Sequence, residues 1–161
     1  MKELAIKLSE LLTQRGLTIS TAESCTGGLV AKTITDISGV SSVYFGSVVS
    51  YDNSVKENVL GVKRQTLDTV GAVSAETACQ MAEGVKNLMK TDIGISTTGI
   101  AGPGGATPGK PVGTVYIGIA YKDKVESRLL QIDETLSRDE IRRIVTRLLL
   151  TDVCEKISKN Y

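Results

Sequence analysis

The chain has 161 residues, a formal net charge of +1 and 41% hydrophobic residues, so one folded domain over residues 1–161 with a sizeable core is expected. Aromatic residues are only 4% and no basic cluster stands out, which argues against nucleic acid as a partner. The chain contains no histidine, so neither a Ser-His-Asp nor a Cys-His site can form within it.

The first half of the sequence predicts alternating helices and strands. Leucines recur at helical spacing over roughly the first 15 residues, and Gly16 ends that helix. A short strand is expected over 17–22, a helix over 26–36 with glycines in its first turn, and a strand over 43–51. Two short helices follow, over 53–60 and 63–70.

The second half predicts one long helix on each side of three strands. Ser74 is a good N-cap for a helix over 75–90, and a buried strand follows over 92–98. A glycine-rich loop covers 99–110, and strands over 112–120 and 125–132 could form a hairpin. Ser137 caps the final helix. This order of elements predicts an α/β sandwich with a mixed sheet.

The three cysteines, Cys25, Cys79 and Cys154, are widely spaced and form no CxxC pair or zinc spacing. Reduced thiols in a cytoplasmic protein are the simplest interpretation, and no metal site is expected. The N-terminus is not a signal peptide, and no apolar run approaches the length that spans a bilayer. A membrane is therefore not an expected partner.

Two possible nucleophiles, Ser24 and Cys25, lie beside Gly27 and Gly28, between a predicted strand and a predicted helix. Backbone N–H groups at such a junction could hold a carbonyl oxyanion or a phosphate. The alternative is that Ser24 or Thr26 only caps the helix. Cys25 is better explained as a structural thiol, because no histidine is available to activate it.

A candidate base lies in the segment 51–56. If a helix starts at Asn53, then Tyr51 ends a strand and Lys56 lies about one turn into the helix, so the two side chains could converge. A desolvated lysine can lose its proton near neutral pH and act as a general base, with the tyrosine hydroxyl as a relay. A solvated surface lysine is the alternative.

The glycine-rich segment 97–105 follows a predicted buried strand, which is a usual ligand position in α/β folds. Residues 104–110 fit G-x-x-x-x-G-K, but Pro111 replaces the required Ser or Thr, and a strand rather than a helix follows. A P-loop is therefore rejected. Arg138, at the start of the last helix, could bind a phosphate in a bidentate manner; simple surface exposure is the alternative.

Taken together, five ordered segments resemble the CinA C-terminal domain family, the nicotinamide-nucleotide amidohydrolases. The resemblance covers nearly the whole chain. It rests on the motifs AESCTGG (22–28), Y-x-N-x-x-K (51–56), GAVS (71–74), GIAGPGG (99–105) and KPVGTV (110–115). Some family members have an additional N-terminal molybdopterin-binding-like domain, and this chain resembles the stand-alone form.

The resemblance implies a three-layer α/β/α fold and deamidation of nicotinamide mononucleotide to nicotinate mononucleotide and ammonia, a step of pyridine nucleotide salvage, with no metal or cofactor. Ser24 is then the nucleophile, with Lys56 and Tyr51 as its partners. The positions expected near the substrate are Thr26, Gly27, Gly28, Thr98, Gly102 and Arg138, with Arg142 a neighbour of the last.

The expected partners are a small nucleotide substrate and further copies of the chain in a homo-oligomer. The alternative is a nucleotide-binding or regulatory module without turnover.

Overall fold

The computed structural model describes residues 1–159. Its helices are α1 (Lys2–Arg15), α2 (Leu29–Thr35), α3 (Asn53–Asn58), α4 (Arg64–Thr69), α5 (Ala75–Met89) and α6 (Arg138–Lys159). Its strands are β1 (Ile19–Glu23), β2 (Tyr44–Val49), β3 (Ile93–Gly99), β4 (Thr114–Tyr121) and β5 (Lys124–Gln131). A short 3-10 helix, Val40–Ser42, precedes β2.

The five strands form one mixed sheet in the order β2-β1-β3-β4-β5. β1 pairs in parallel with both β2 and β3, whereas β4 pairs antiparallel with β3 and with β5. The carboxyl ends of β1, β2 and β3 therefore meet at one edge of the sheet. Open parallel sheets usually bind ligands at this edge.

Helix α5 crosses one face of the sheet at close range because small residues lie beneath it. A Cβ added to Gly94 would lie 2.1 Å from the Ala82 carbonyl oxygen, and one added to Gly118 would lie 2.4 Å from that of Ala78. Larger residues at these positions would push the helix off the sheet.

The opposite face is covered by α1, α2 and α6, which pack on one another and on the sheet. Leucines of α1, isoleucines of β3 and β4, and aliphatic side chains of α6 form the main hydrophobic core. The prediction of a three-layer α/β/α sandwich with a mixed sheet is confirmed.

The predicted elements are all present, with boundaries shifted by a few residues. The largest shift is in α2, which begins at Leu29 rather than near Thr26, because residues 25–28 form a turn in which Gly27 and Gly28 have φ of 60° and 101°. Left-handed backbone of this kind favours glycine and cannot continue a helix. Among the described residues, no helix is long and apolar enough to cross a bilayer.

Candidate active site

The ends of the three parallel strands bring the predicted segments together. Ser24 follows β1, Tyr51 lies two residues after β2, and Gly99 ends β3. The Ser24 N–H donates to the Thr97 carbonyl at 3.0 Å, and the Ser50 N–H donates to the Glu23 carbonyl at 2.8 Å. These bonds fix the three strand ends against one another.

Ser24 and Lys56 are in direct contact. The Lys56 Nζ lies 3.0 Å from the Ser24 Oγ, although the residues are 32 positions apart in the chain. Lys56 is held in place by α3, which begins after Asp52 because the Asp52 carboxylate accepts a hydrogen bond from the Ser54 N–H at 2.8 Å. The structure thus brings together Ser24 and Lys56, the two residues that the family resemblance pairs.

Lys56 is buried, with 1% of its surface exposed. Its Nζ also lies 2.6 Å from the Ser50 carbonyl oxygen and 3.4 Å from that of Tyr51. Burial lowers the pKa of the Lys56 ammonium, and the negative charges that the Cys25 thiol and Asp52 can carry oppose this shift. A neutral amine could donate two N–H bonds to the two carbonyls and keep its lone pair for the Ser24 hydroxyl.

The environment of Cys25 does not activate its thiol as a nucleophile. It is buried, and this burial raises the pKa of its thiol to about 12, so the thiolate is scarce at neutral pH. The hydroxyl of Ser24 is the group that lies next to a potential base. The geometry therefore favours the serine, as the lack of histidine suggested.

Tyr51 and Arg138 form a second contact at the rim of the site. The Arg138 guanidinium donates to the Tyr51 hydroxyl at 2.8 Å and to the Gly102 carbonyl at 2.7 Å. The Tyr51 hydroxyl makes no hydrogen bond with Ser24 or Lys56 among the described residues. In this structure Ser24 and Lys56 are in direct contact, and the Tyr51 hydroxyl contacts Arg138 instead.

A cavity of about 300 Å³ opens over Ser24. Among the described residues that line it, the charged ones are Lys56 and Arg138, and none is acidic. Such a lining favours an anionic ligand. The full lining comprises Ser24, Cys25, Tyr51, Asn53, Lys56, Ala72, Val73, Thr98, Gly99, Ile100, Ala101, Gly104, Gly105 and Arg138.

Two loops that form the cavity wall are held by side chains bonded to backbone carbonyls. The Thr98 hydroxyl donates to the Ala72 carbonyl at 2.7 Å. The Lys110 Nζ donates to the carbonyls of Val73 and Val70 at 2.7 and 3.0 Å. Thr98 therefore lines the cavity and also positions its wall.

The turn residues Thr26, Gly27 and Gly28 do not line the cavity. The Thr26 hydroxyl donates to Glu23 at 2.6 Å and lies 2.8 Å from the Thr97 hydroxyl, and the Gly28 N–H donates to Glu23 at 3.0 Å. The Thr26 hydroxyl and the Gly27 and Gly28 N–H groups thus hold the turn that follows Ser24.

Glu23 is the residue that sequence reasoning missed. It is 1% exposed, and its carboxylate accepts hydrogen bonds from the Thr26 hydroxyl and from the N–H groups of Gly28, Val30 and Ala31. It thereby satisfies the first N–H groups of α2, the task expected of Ser24 or Thr26 under the capping interpretation. An acid inside a buried strand is the only signal of this role in the sequence.

A larger cavity, of about 520 Å³, lies between β5 and α6, away from the strand ends. Its walls include the surface ion pair between Arg128 and Asp152, at 2.7 Å, and no serine–lysine contact. Within residues 1–159, no cluster of three or more His, Cys, Asp or Glu side chains that could hold a metal ion occurs.

Comparison with known sequences identifies relatives over most of the chain. The CinA C-terminal domain family model matches residues 1–157. A relative from Caldanaerobacter subterraneus subsp. tengcongensis, named for competence-damage inducibility, is 56% identical over 142 residues, 88% of this chain and 33% of the relative. A CinA-like protein from Leptospira borgpetersenii serovar Hardjo-bovis is 58% identical over 118 residues, 73% of this chain and 28% of the relative. The chain thus spans about a third of the length of the curated relatives it matches.

Solved structures show the same similarity in three dimensions. A competence/damage inducible protein from Agrobacterium tumefaciens matches with a TM-score of 0.93 and 39% identity, covering 98% of this chain and 95% of that chain. A competence damage-inducible protein from Klebsiella pneumoniae matches with a TM-score of 0.95 and 30% identity, covering 99% of this chain and 98% of that chain. Sequence and fold agree over nearly the whole chain, and the protein belongs to the CinA C-terminal domain family.

Proposed function

We propose that the protein is an amidohydrolase that converts nicotinamide mononucleotide to nicotinate mononucleotide and ammonia. The observation that carries the proposal is the buried Lys56 amine, 3.0 Å from the Ser24 hydroxyl, at the base of a cavity. The reaction class follows from this pair, because a serine with a lysine base can form and hydrolyse an acyl-enzyme. The choice of substrate rests on the family resemblance.

In the first half of the reaction, neutral Lys56 takes the Ser24 proton and the Ser24 Oγ attacks the carboxamide carbon. A tetrahedral oxyanion forms. Lys56 then returns the proton to the amide nitrogen, the C–N bond breaks, and ammonia leaves an acyl-serine ester. Because Lys56 lies next to the reacting oxygen, the same group can act as base and then as acid.

In the second half, a water molecule gives a proton to Lys56 and attacks the acyl carbon. The ester bond to the Ser24 Oγ breaks, the proton returns to that oxygen, and the carboxylic acid is released. The Arg138 guanidinium, in a cavity whose described lining has no acidic residue, suits a substrate that has a phosphate. Arg138, with its guanidinium at the rim, is the proposed phosphate contact. The pyridinium charge of the substrate also favours the neutral form of Lys56.

Ammonia release tests the proposal directly. Nicotinamide mononucleotide, free nicotinamide and the intact dinucleotide are compared as substrates, with the Ser24→Ala variant as the matched control. The mononucleotide should be hydrolysed fastest, and the variant should release no ammonia above background. If the mononucleotide binds, as measured by calorimetry, but the wild-type chain releases no ammonia, the protein is a nucleotide-binding module instead.

A further inference from the structure

The turn after Ser24 has two N–H groups that donate to no oxygen atom of the described residues. The turn is closed by the Gly27 N–H, which donates to the Ser24 carbonyl at 3.1 Å. Among the described residues, the N–H groups of Cys25 and Thr26 donate to no protein oxygen. The Cys25 N–H has its own thiol as a partner. Buried N–H groups are rarely left unpaired, so the Thr26 N–H is a candidate to bind a ligand or a reaction intermediate.

The Thr26 N–H is two residues after the Ser24 side chain, within one turn. In turns that begin with serine, the N–H two residues later lies on the side of the hydroxyl and often bonds to it. Here the Ser24 Oγ faces Lys56 instead. An oxyanion on the carbon that becomes bonded to this Oγ would therefore form close to the Thr26 N–H.

Arg142 holds the same peptide from the other side. Its Nε donates to the Cys25 carbonyl at 2.8 Å, and its side chain does not line the cavity. In a trans peptide, the C=O and the following N–H point in opposite directions. The bond to Arg142 therefore fixes the Thr26 N–H so that it points away from the Arg142 side chain.

Gly27 leaves space for this guanidinium. A Cβ at this position would lie 3.3 Å from the Arg142 Nη2, and the backbone φ of 60° already favours glycine. A side chain here would crowd the arginine. Gly27 and Arg142 are thus complementary parts of one arrangement, 115 positions apart in the chain.

We propose that Arg142 is a positioning residue that orients the Thr26 N–H to stabilise the oxyanion formed at Ser24. It acts through the Cys25–Thr26 peptide and touches no substrate. The inference rests on the proposed function for its substrate, but it applies to any acyl or phosphonyl group that Ser24 attacks. Loss of Arg142 should therefore slow the chemical step and leave the affinity for substrate unchanged.

The test compares Arg142→Met and Arg142→Lys with the wild type, and Arg143→Met is the matched control. Arg143 is the next residue of α6, is exposed, and pairs only with Asp139, at 2.7 Å, among the described residues. The readout is labelling of Ser24 by an alkyl fluorophosphonate, followed by intact-mass spectrometry. In this reaction the Ser24 Oγ bonds to phosphorus, fluoride leaves, and Lys56 takes the hydroxyl proton.

Arg142→Met should label at least tenfold more slowly, with about 10²–10³-fold, the typical loss for an oxyanion donor, as the upper limit. Arg142→Lys keeps a donor and should label at an intermediate rate, while Arg143→Met should match the wild type. On nicotinamide mononucleotide, Arg142→Met should lower kcat and keep KM. If Arg142→Met does not fold, Arg142→Leu replaces it with the same expectation, since leucine has no donor for the Cys25 carbonyl.

Wild-type labelling rates in the Met or Leu variant would overturn the inference. A raised KM with unchanged kcat would also overturn it, because Arg142 would then be a substrate contact. A wild-type chain that is labelled at Ser24 but releases no ammonia would refute the proposed function alone, and the labelling rates would still decide the role of Arg142. A wild-type chain that is not labelled at Ser24 would overturn both.

Discussion

Replacing Glu23 tests whether one buried carboxylate holds the turn beneath the candidate nucleophile. Its Oε2 accepts from the Thr26 hydroxyl at 2.6 Å and from the Gly28 and Val30 N–H groups at 3.0 Å each. Its Oε1 accepts from the Ala31 N–H at 2.8 Å. Glu23→Gln keeps the shape of the side chain but converts one acceptor to an NH₂ group and removes the charge.

The magnitude follows from counting these bonds. With the glutamine oxygen at the Oε2 position, three bonds change from charged to neutral, and each loses on the order of 1 kcal/mol. The fourth bond, to Ala31, is replaced by two donors that face each other, at a cost of about 1–3 kcal/mol. Burying a neutral amide rather than a carboxylate recovers part of this loss. We expect a net destabilisation of about 2–3 kcal/mol, a fall of roughly 4–12 °C in Tm.

Urea unfolding, followed by circular dichroism, measures the change in the free energy of unfolding. Glu3→Gln is the matched control: Glu3 is exposed in the first turn of α1, and its replacement should stay within about 0.5 kcal/mol of the wild type. A Glu23→Gln variant as stable as this control would refute the assigned role of the carboxylate. Glu23→Ala should be less stable than Glu23→Gln, because it leaves all four donors without their acceptor.

Four further predictions concern the catalytic groups. Lys56→Arg should lower kcat almost as far as Lys56→Ala, because guanidinium stays protonated; a near-normal kcat with a raised KM would make Lys56 a substrate contact instead. Burial lowers the pKa of Lys56, so the folded chain binds fewer protons than the unfolded chain between that value and about 10.4, and wild-type stability relative to Lys56→Met should rise with pH across this window. A pH-independent difference between the two unfolding free energies would contradict this linkage. Cys25→Ala should keep most of the ammonia release that Ser24→Ala abolishes, and the reverse order would move the nucleophile to the thiol. EDTA should leave ammonia release unchanged, whereas loss of activity that a divalent ion restores would show that a metal takes part.

The order of helices and strands was predictable because each element has its own local signal. The leucine spacing of α1 and the glycine after it, with φ of 62°, set that helix and its end. The same holds for α6, where Ser137 and Glu140 bond to each other's backbone N–H groups at 3.2 and 2.8 Å, a capping box. These signals lie within a few residues of the ends they define.

The parts of the site that depend on distant residues were less predictable. The family resemblance pairs Ser24 with Lys56, but the contact of Tyr51 with Arg138 depends on how α6 packs against the sheet. Likewise, no local pattern indicates that Arg142 reaches the Cys25 carbonyl. Side-chain contacts across many positions are set by packing, which a single sequence does not display.

The basic side chains around the cavity share one feature, which is a hydrogen bond to a backbone carbonyl rather than to a carboxylate. Lys56, Lys110, Arg138 and Arg142 each donate to a backbone carbonyl, and within residues 1–159 none of them forms an ion pair with a carboxylate. Carbonyl bonds fix the loops without cancelling the positive charge of Lys110, Arg138 and Arg142, so the cavity keeps its attraction for an anion. A carboxylate bonded to Lys56 would instead favour the ammonium form and remove the lone pair that Ser24 needs. Hydrogen bonds to carbonyls rather than to carboxylates thus favour both the binding of an anionic substrate and the activation of Ser24.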